Sequence, residues 1–188
     1  MMIVRHAAWY LALIVLLGAV TTLQAHAQHH GGHRPGSAPA SPYAGMQARE
    51  IKALSEPDMA DLRAGRGMGL ALAAELNGHP GPMHALEHAD ALGLDADQRA
   101  RLSALVGNMR TDAIAAGLRV IEAERALDRL FASGAATPEA VRAATAAVAV
   151  TQGELRSIHL VTHIATRTVL TQPQLTRYDV LRGYRQPG

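Results

Sequence analysis

The residues best suited to chemistry in this chain are its histidines. Ten of them stand among 188 residues, alongside seven Met and no Cys. Without Cys there are no disulfides, thiolate zinc sites, iron–sulfur clusters or cysteine nucleophiles. Any metal must then be held by imidazole, thioether or carboxylate. Four of the histidines form two matched pairs: His84 with His88, and His159 with His163. Side chains four apart on a helix share a face, so each pair can turn both imidazoles toward one ion. Neutral imidazole suits zinc, copper, nickel and cobalt. His29, His30 and His33 form a looser cluster that could scavenge such a metal weakly. A plainer reading stands beside each: exposed or partner-capping histidines in the pairs, and a polar N-terminal tail. Met46, Met59, Met68 and Met83 could offer thioethers to Cu(I), but their irregular spacing reads more simply as core packing.

Catalytic patterns are missing. There is no GxSxG, P-loop, dinucleotide fingerprint or HExxH. The segment His84-Ala85-Leu86-Glu87-His88 puts its glutamate at the wrong position for a zinc protease. No catalytic residue and no organic cofactor is expected, and the chain reads as a non-enzyme. A net charge of +2 is too small to point to nucleic acid. The run Arg99, Arg101, Arg110, Arg119, Arg125 and Arg129 alternates with Glu122, Glu124 and Asp128, as on a solvated helix face.

The elements that must position these residues read as helices throughout. Hydrophobic residues make up 48% of the chain but aromatics only 3%, so Ala and Leu carry the apolar content. That composition favours an all-α fold over a sheet. Residues 1–27 read as a secretory signal peptide: Arg5 and His6, an apolar run from Ala7 to Val20, then Ala25-His26-Ala27 as cleavage site. Cleavage would leave a nearly neutral chain beginning at Gln28. An uncleaved anchor is the alternative. Residues 28–46 form a disordered His, Pro and Gly-rich tail. Residues 47–81 form a helical extension. It has a short helix over Gln47–Leu54, a start signal at Ser55-Glu56-Pro57-Asp58, and a glycine-interrupted helix over Gly67–Leu76.

Residues 82–185 carry the regular pattern. Pro82–Ala91 reads as a short helix. Asp95 caps a long helix to Ala132, with Leu102, Leu105, Met109, Ala113, Ala116 and Val120 in its stripe. Thr137-Pro138-Glu139 starts a second long helix, with Val148, Leu155, Ile158, Thr162 and Val169 in its stripe. Gln172–Gly183 ends the chain as a short helix. Two long helices joined by a short loop predict an antiparallel hairpin. An Ala-rich seam buries little area, which predicts a homodimer or added helices. In such a hairpin His159 falls opposite Asp112, and His163 opposite Asn108 and Met109. His84 and His88 fold back to nearby levels. A shared site of His84, His88, His159 and His163, with Met109 or Asp112 as extra ligands, is therefore within reach.

One motif occurs twice. Leu94-Asp95-Ala96-Asp97-Gln98 and Leu170-Thr171-Gln172-Pro173-Gln174 each give an apolar residue, a cap and a Gln three further on. By spacing alone these are two capping boxes with apolar staples. Leu170-Thr171-x-x-Gln174 also resembles the LTxxQ motif of the periplasmic Spy/CpxP family, and Leu94-Asp95-x-x-Gln98 its common variant. The order of segments is similar too, over about Pro82–Tyr184. The resemblance implies an exported, all-helical, often dimeric protein. Spy- and CpxP-like members act as ATP-independent chaperones or stress-signalling adaptors, and ZraP- and CnrX-like members bind transition metals in heavy-metal resistance and sensing. His84 and His88 match the first histidine pair of a CnrX-like site, and His159-x3-His163 resembles its last element with His in place of Met. No acid stands where that site has its glutamate, near Val106. The expected function is thus periplasmic transition-metal binding without catalysis, with a metal-independent chaperone or adaptor as the alternative. Expected partners are a second copy, unfolded envelope proteins or a membrane sensor protein.

Overall fold

The chain is built from helices alone, with no strand among the described residues. A computed structural model describes residues 41–186. The expected leader and the tail histidines His29, His30 and His33 lie outside the described residues. A short 3-10 turn (Met46–Ala48) is followed by α1 (Glu56–Ala64), α2 (Leu72–Glu75), α3 (Pro82–Glu87), α4 (Ala96–Ala132), α5 (Pro138–Val169) and α6 (Gln172–Leu181). None of these helices is long and apolar enough to cross a membrane.

Local signals set most helix starts. Asp58 N–H donates to Ser55 Oγ at 3.2 Å and Ser55 N–H donates to Asp58 Oδ2 at 2.9 Å, a full capping box at α1. Asp95 caps α4 in the same way, with Gln98 N–H donating at 2.7 Å. Thr137 caps α5, with Pro138 in its first turn. The long helices thus lie where caps and periodicity place them.

The extension differs from expectation. The helix expected over Gln47–Leu54 shrinks to the 3-10 turn. Ile51 is instead fully buried, and its polar neighbours reach α4: Glu50 pairs with Arg125 at 2.6 Å and Lys52 with Asp128 at 3.6 Å. Tertiary contacts outweigh a weak local preference here. The helix expected over Gly67–Leu76 is reduced to Leu72–Glu75. Gly65 and Gly69 adopt positive φ and Met68 joins them at 45°, so the chain turns there rather than winding. α3 ends at Glu87, short of the expected Ala91.

Two apolar clusters hold the fold. The first gathers the base: Leu92, Leu94 and Leu102 meet Val169, Leu170, Leu175 and Tyr178. Leu94 and Leu170, the apolar residues of the repeated motif, are both buried there. In the second, Ile51, Met59 and Leu62 of the extension cover Ala113, Ala116, Val120 and Ile121 of α4 and Leu155 of α5. Each such side chain contributes roughly 2 kcal/mol on burial. Gly117 permits the approach, since a methyl group there would collide with the Leu62 carbonyl. The α4–α5 pairing is the most extensive helix contact. It includes Arg119 Nη2 donating to Glu154 Oε2 at 3.1 Å and Gln152 Nε2 donating to Glu124 Oε1 at 3.3 Å.

Glu124 corrects the reading of the charged run as a solvated face: it is buried. The run advances 100° per residue, and position 124 turns inward toward Gln152 of α5 while Glu122 stays exposed. Burial pushes the Glu124 carboxyl above its ordinary range. A raised folded value favours the protonated form. Its stabilising contribution is complete below the ordinary value of 4.5 and is lost as pH rises above it. Glu124→Gln should therefore melt at higher temperature than the parent at pH 7, and the two should converge near pH 4. Calorimetric melts across that interval check this; an equal gain at both pH values would refute it.

Candidate functional site

Among the described residues, the most connected polar group is Glu75, at the end of α2. It is buried, although it lies in the apolar stretch Ala71-Leu72-Ala73-Ala74-Glu75-Leu76. After it, Gly78 at φ 75° turns the chain, and His79-Pro80-Gly81-Pro82 leads into α3. The carboxylate accepts from Tyr178 Oη at 2.6 Å, Tyr184 Oη at 3.1 Å and Gly81 N–H at 2.9 Å. His163 Nδ1 lies 3.5 Å from Oε2, and Arg182 Nε 3.6 Å from Oε1. Burial, then the bond to Glu75, push the Tyr178 phenol far up, so it stays a neutral donor. Sequence reasoning missed this centre. The available signal was an acid inside an apolar run, with two of the four Tyr near the C-terminus.

His163 is held by the same segment. Its Nδ1 lies 2.9 Å from the His79 carbonyl oxygen, an acceptor that fixes a proton on Nδ1. Nε2 lies beside Gly81, where an added methyl group would sit 3.2 Å away. Arg167 donates to the neighbouring Gly78 carbonyl. One turn earlier on α5, His159 is 2% exposed and its Nε2 has no hydrogen-bond partner. Burial, and secondarily the charge of His163, push its imidazole below the ordinary value. His159 is therefore neutral at pH 7, the form that ligates metals.

The other expected ligands do not join this pair. His84 Nδ1 bonds Glu87 Oε2 at 2.8 Å on the outer side of α3, and that bond holds the Glu87 carboxyl below its ordinary range. α3 stops before His88, which has left helical geometry at φ −102°. Met109 and Asp112 line a groove between α4 and α5 that takes Ile158, Val161 and Thr162 from α5, not His159 or His163. The hairpin register estimate fixes level along the helices but not direction around them, and a 100° step separates Ile158 from His159. Among the described residues, no three His, Asp or Glu side chains gather closely enough to hold an ion. The four-histidine site is thus not assembled; His159 and His163 remain as a pair.

No family model matches the chain, and no curated protein or solved structure does. What the arrangement can do follows from its donors. Two imidazoles share one helix face, one with a vacant buried nitrogen and one fixed from behind by a carbonyl and a carboxylate. That is how proteins orient imidazoles toward metals.

The Glu75 centre yields a stability prediction. Glu75→Ala leaves the Tyr178 hydroxyl buried without its acceptor and the Gly81 N–H with only its longer 3.3 Å bond to Tyr178 Oη, and should cost about 2–4 kcal/mol. Tyr178→Phe removes one of three donors from an acceptor that keeps the others and should cost only about 1–2 kcal/mol. Urea denaturation of the two variants tests the order; equal losses would show that Glu75 is not the organising group.

Proposed function

We propose that this protein binds a transition metal through His159 and His163, without catalysis, in metal sensing or sequestration outside the cytoplasm. The observation that carries the proposal is the buried, unpartnered His159 Nε2 one turn from an imidazole already fixed through Nδ1. A buried polar atom without a partner costs about 1–3 kcal/mol, and an ion is a partner that removes the cost. Zinc, copper, nickel and cobalt all suit such donors, and water or an outside ligand completes the shell. Glu75 supplies negative charge behind His163. The resemblance of the two Leu-x-x-x-Gln motifs to the Spy/CpxP family agrees with this reading, as does the expected signal peptide ending at Ala27. The contacts of Gln98 with Val169, Arg119 with Glu154 and Glu124 with Gln152 support the antiparallel hairpin expected for that family. The homodimer stays part of the proposal.

Calorimetric titration of the exported chain with Zn(II), Cu(II), Ni(II) and Co(II) tests it. One equivalent should bind tighter than about 10 μM with at least one of them. His159→Leu or His163→Leu should abolish that binding, and the double change His84→Ala/His88→Ala should leave it intact. Replacing His29, His30 and His33 should remove only weaker additional sites. No saturable binding, or binding that survives His159→Leu, overturns the reading.

A specific feature favours a second reading, the metal-independent chaperone or adaptor. On α4 and α5 an open groove of about 660 Å³ is lined by Leu105, Met109, Ile158 and Val161, with Arg119 and Glu154 among its polar groups. Val161 is 58% exposed. Such a groove suits an apolar stretch of an unfolded protein. Suppression of client aggregation in the presence of a chelator, lost in Val161→Glu and retained in His159→Leu, would identify this activity.

A further inference from the structure

We propose that the cleft between α1, the Gly65–Leu70 turn and α5 binds one free amphiphile, a single aliphatic chain with an anionic head such as a medium-chain carboxylate. The cleft offers about 510 Å³, within the range of roughly 300–1,000 Å³ usual for small-ligand sites. Its apolar wall is aliphatic: Leu54, Leu62, Met68, Leu70, Ala149 and Leu155. Among the described residues no aromatic ring lines it, so nothing there stacks on a planar ligand, whereas a flexible chain can follow such a wall. Leu62 and Leu155 are buried in the second apolar cluster, so the floor of the cleft is anchored in the core. The cleft shares no residue with the Glu75 centre or the histidine pair, and the proposal is independent of the metal reading.

Two features of the wall serve the cleft and not the fold. Gly153 stands in the middle of α5, where glycine weakens a helix. Unlike Gly117, it has no atom within 4 Å of where a methyl group would stand, so packing does not require it. The missing side chain leaves its space to the cleft. On the side of the extension, Met68 is held at φ 45°, a left-handed conformation uncommon for a residue with a side chain. It is 42% exposed, so burial does not account for the strain. Its flexible thioether suits a wall that must adapt to a chain. Charge places the head. Arg156 lines the cleft from α5 and is exposed. The acids nearest in the wall and the sequence are already engaged. Glu154 is taken by Arg119 of α4, and Asp58, which also lines the cleft, by the N–H and hydroxyl of Ser55. Arg156 is therefore the group left to receive an anion, with the chain lying along Leu62 and Met68.

Calorimetry of the exported chain beginning at Gln28 tests the site, with hexanoate, octanoate and decanoate as probes below their micelle-forming concentrations and chelator present. One equivalent of decanoate should bind saturably, and each two added methylenes should tighten binding about tenfold. Gly153→Leu fills the cleft with a good helix former and should abolish binding without lowering the melting temperature; Ala149→Leu is a second filling variant with the same expectation. Arg156→Gln should weaken decanoate about threefold and leave neutral decanol unchanged. Affinity that does not follow chain length, binding that survives the filling variants, or an equal loss of decanoate and decanol in Arg156→Gln overturns the proposal. So does retention on phosphatidylglycerol vesicles without binding of decanoate, which would make the ligand a bilayer surface and not a free amphiphile.

Discussion

Two glutamines clasp each other at the base of the molecule, and the register of everything above depends on them. Each Gln is the last residue of a capping box. The Oε1 of Gln98 takes the N–H of Asp95 at 3.2 Å, and that of Gln174 takes the N–H of Thr171 at 2.9 Å. This fixes which end of each amide faces its own helix start and turns both Nε2 groups across the gap. Gln98 Nε2 donates to Gln174 Oε1 at 2.8 Å and to the Val169 carbonyl at 2.9 Å, and Gln174 Nε2 returns a bond to Gln98 Oε1 at 3.0 Å. Gln98 is buried, so a slip of α4 against α5 by one residue would leave several amide groups unmet, at about 1–3 kcal/mol each. His163 lies six residues before Val169, roughly 9 Å along the helix, and inherits the register set there.

Above the clasp the two long helices meet through small residues. Ala113 and Ala116 let the backbones approach but bury little area. A pair of helices joined by such a seam lacks the apolar burial that independent stability demands. The extension supplies the missing layer with three large side chains. Its far end buries Pro80 and packs Leu70 on the core, and is fixed through Glu75 as well. A buried carboxylate is tolerable only with several donors, and Glu75 has three hydrogen bonds, with Arg182 and the His163 imidazole nearby. The apolar shortage in the seam and the polar centre at α2 are therefore two sides of one packing problem.

What could be read in the sequence follows the range of the interactions. Ser55, Asp95 and Thr137 cap helices through contacts three residues away, and the starts of α1, α4 and α5 fall where those residues stand. The repeated Leu-x-x-x-Gln pattern was legible as two boxes, but their mutual clasp spans 76 residues and was not. Tyr178 and Glu75 are 103 residues apart, and no local pattern links them. The extension was misread for the same reason: Ile51 is placed by α4, not by its neighbours. The histidine pairs show the limit of spacing. Four residues put His159 and His163 on one face, but only packing decides which way that face turns. It turns toward α2 and Gly81, away from Met109 and Asp112.

His159 is where local stability and the rest of the fold disagree. Leucine at this position would satisfy the same burial with no polar atom to strand. The neighbouring imidazole shows that the segment can supply partners, since His163 has one within 2.9 Å. The described residues leave one other such buried atom without a hydrogen bond, Arg182 Nε, which lies 3.6 Å from Glu75 Oε1. Buried strain of this kind concentrates where a protein works. Charge points the same way. Tyr178, held neutral by burial, adds no charge beside Glu75, and Arg182 Nε stands 3.6 Å from Glu75 Oε1. Under the proposed metal-binding reading, the acid behind one imidazole and the unmet nitrogen of the next are the groups that would receive a cation. The same region would make a poor resting place for an anion or an apolar ligand.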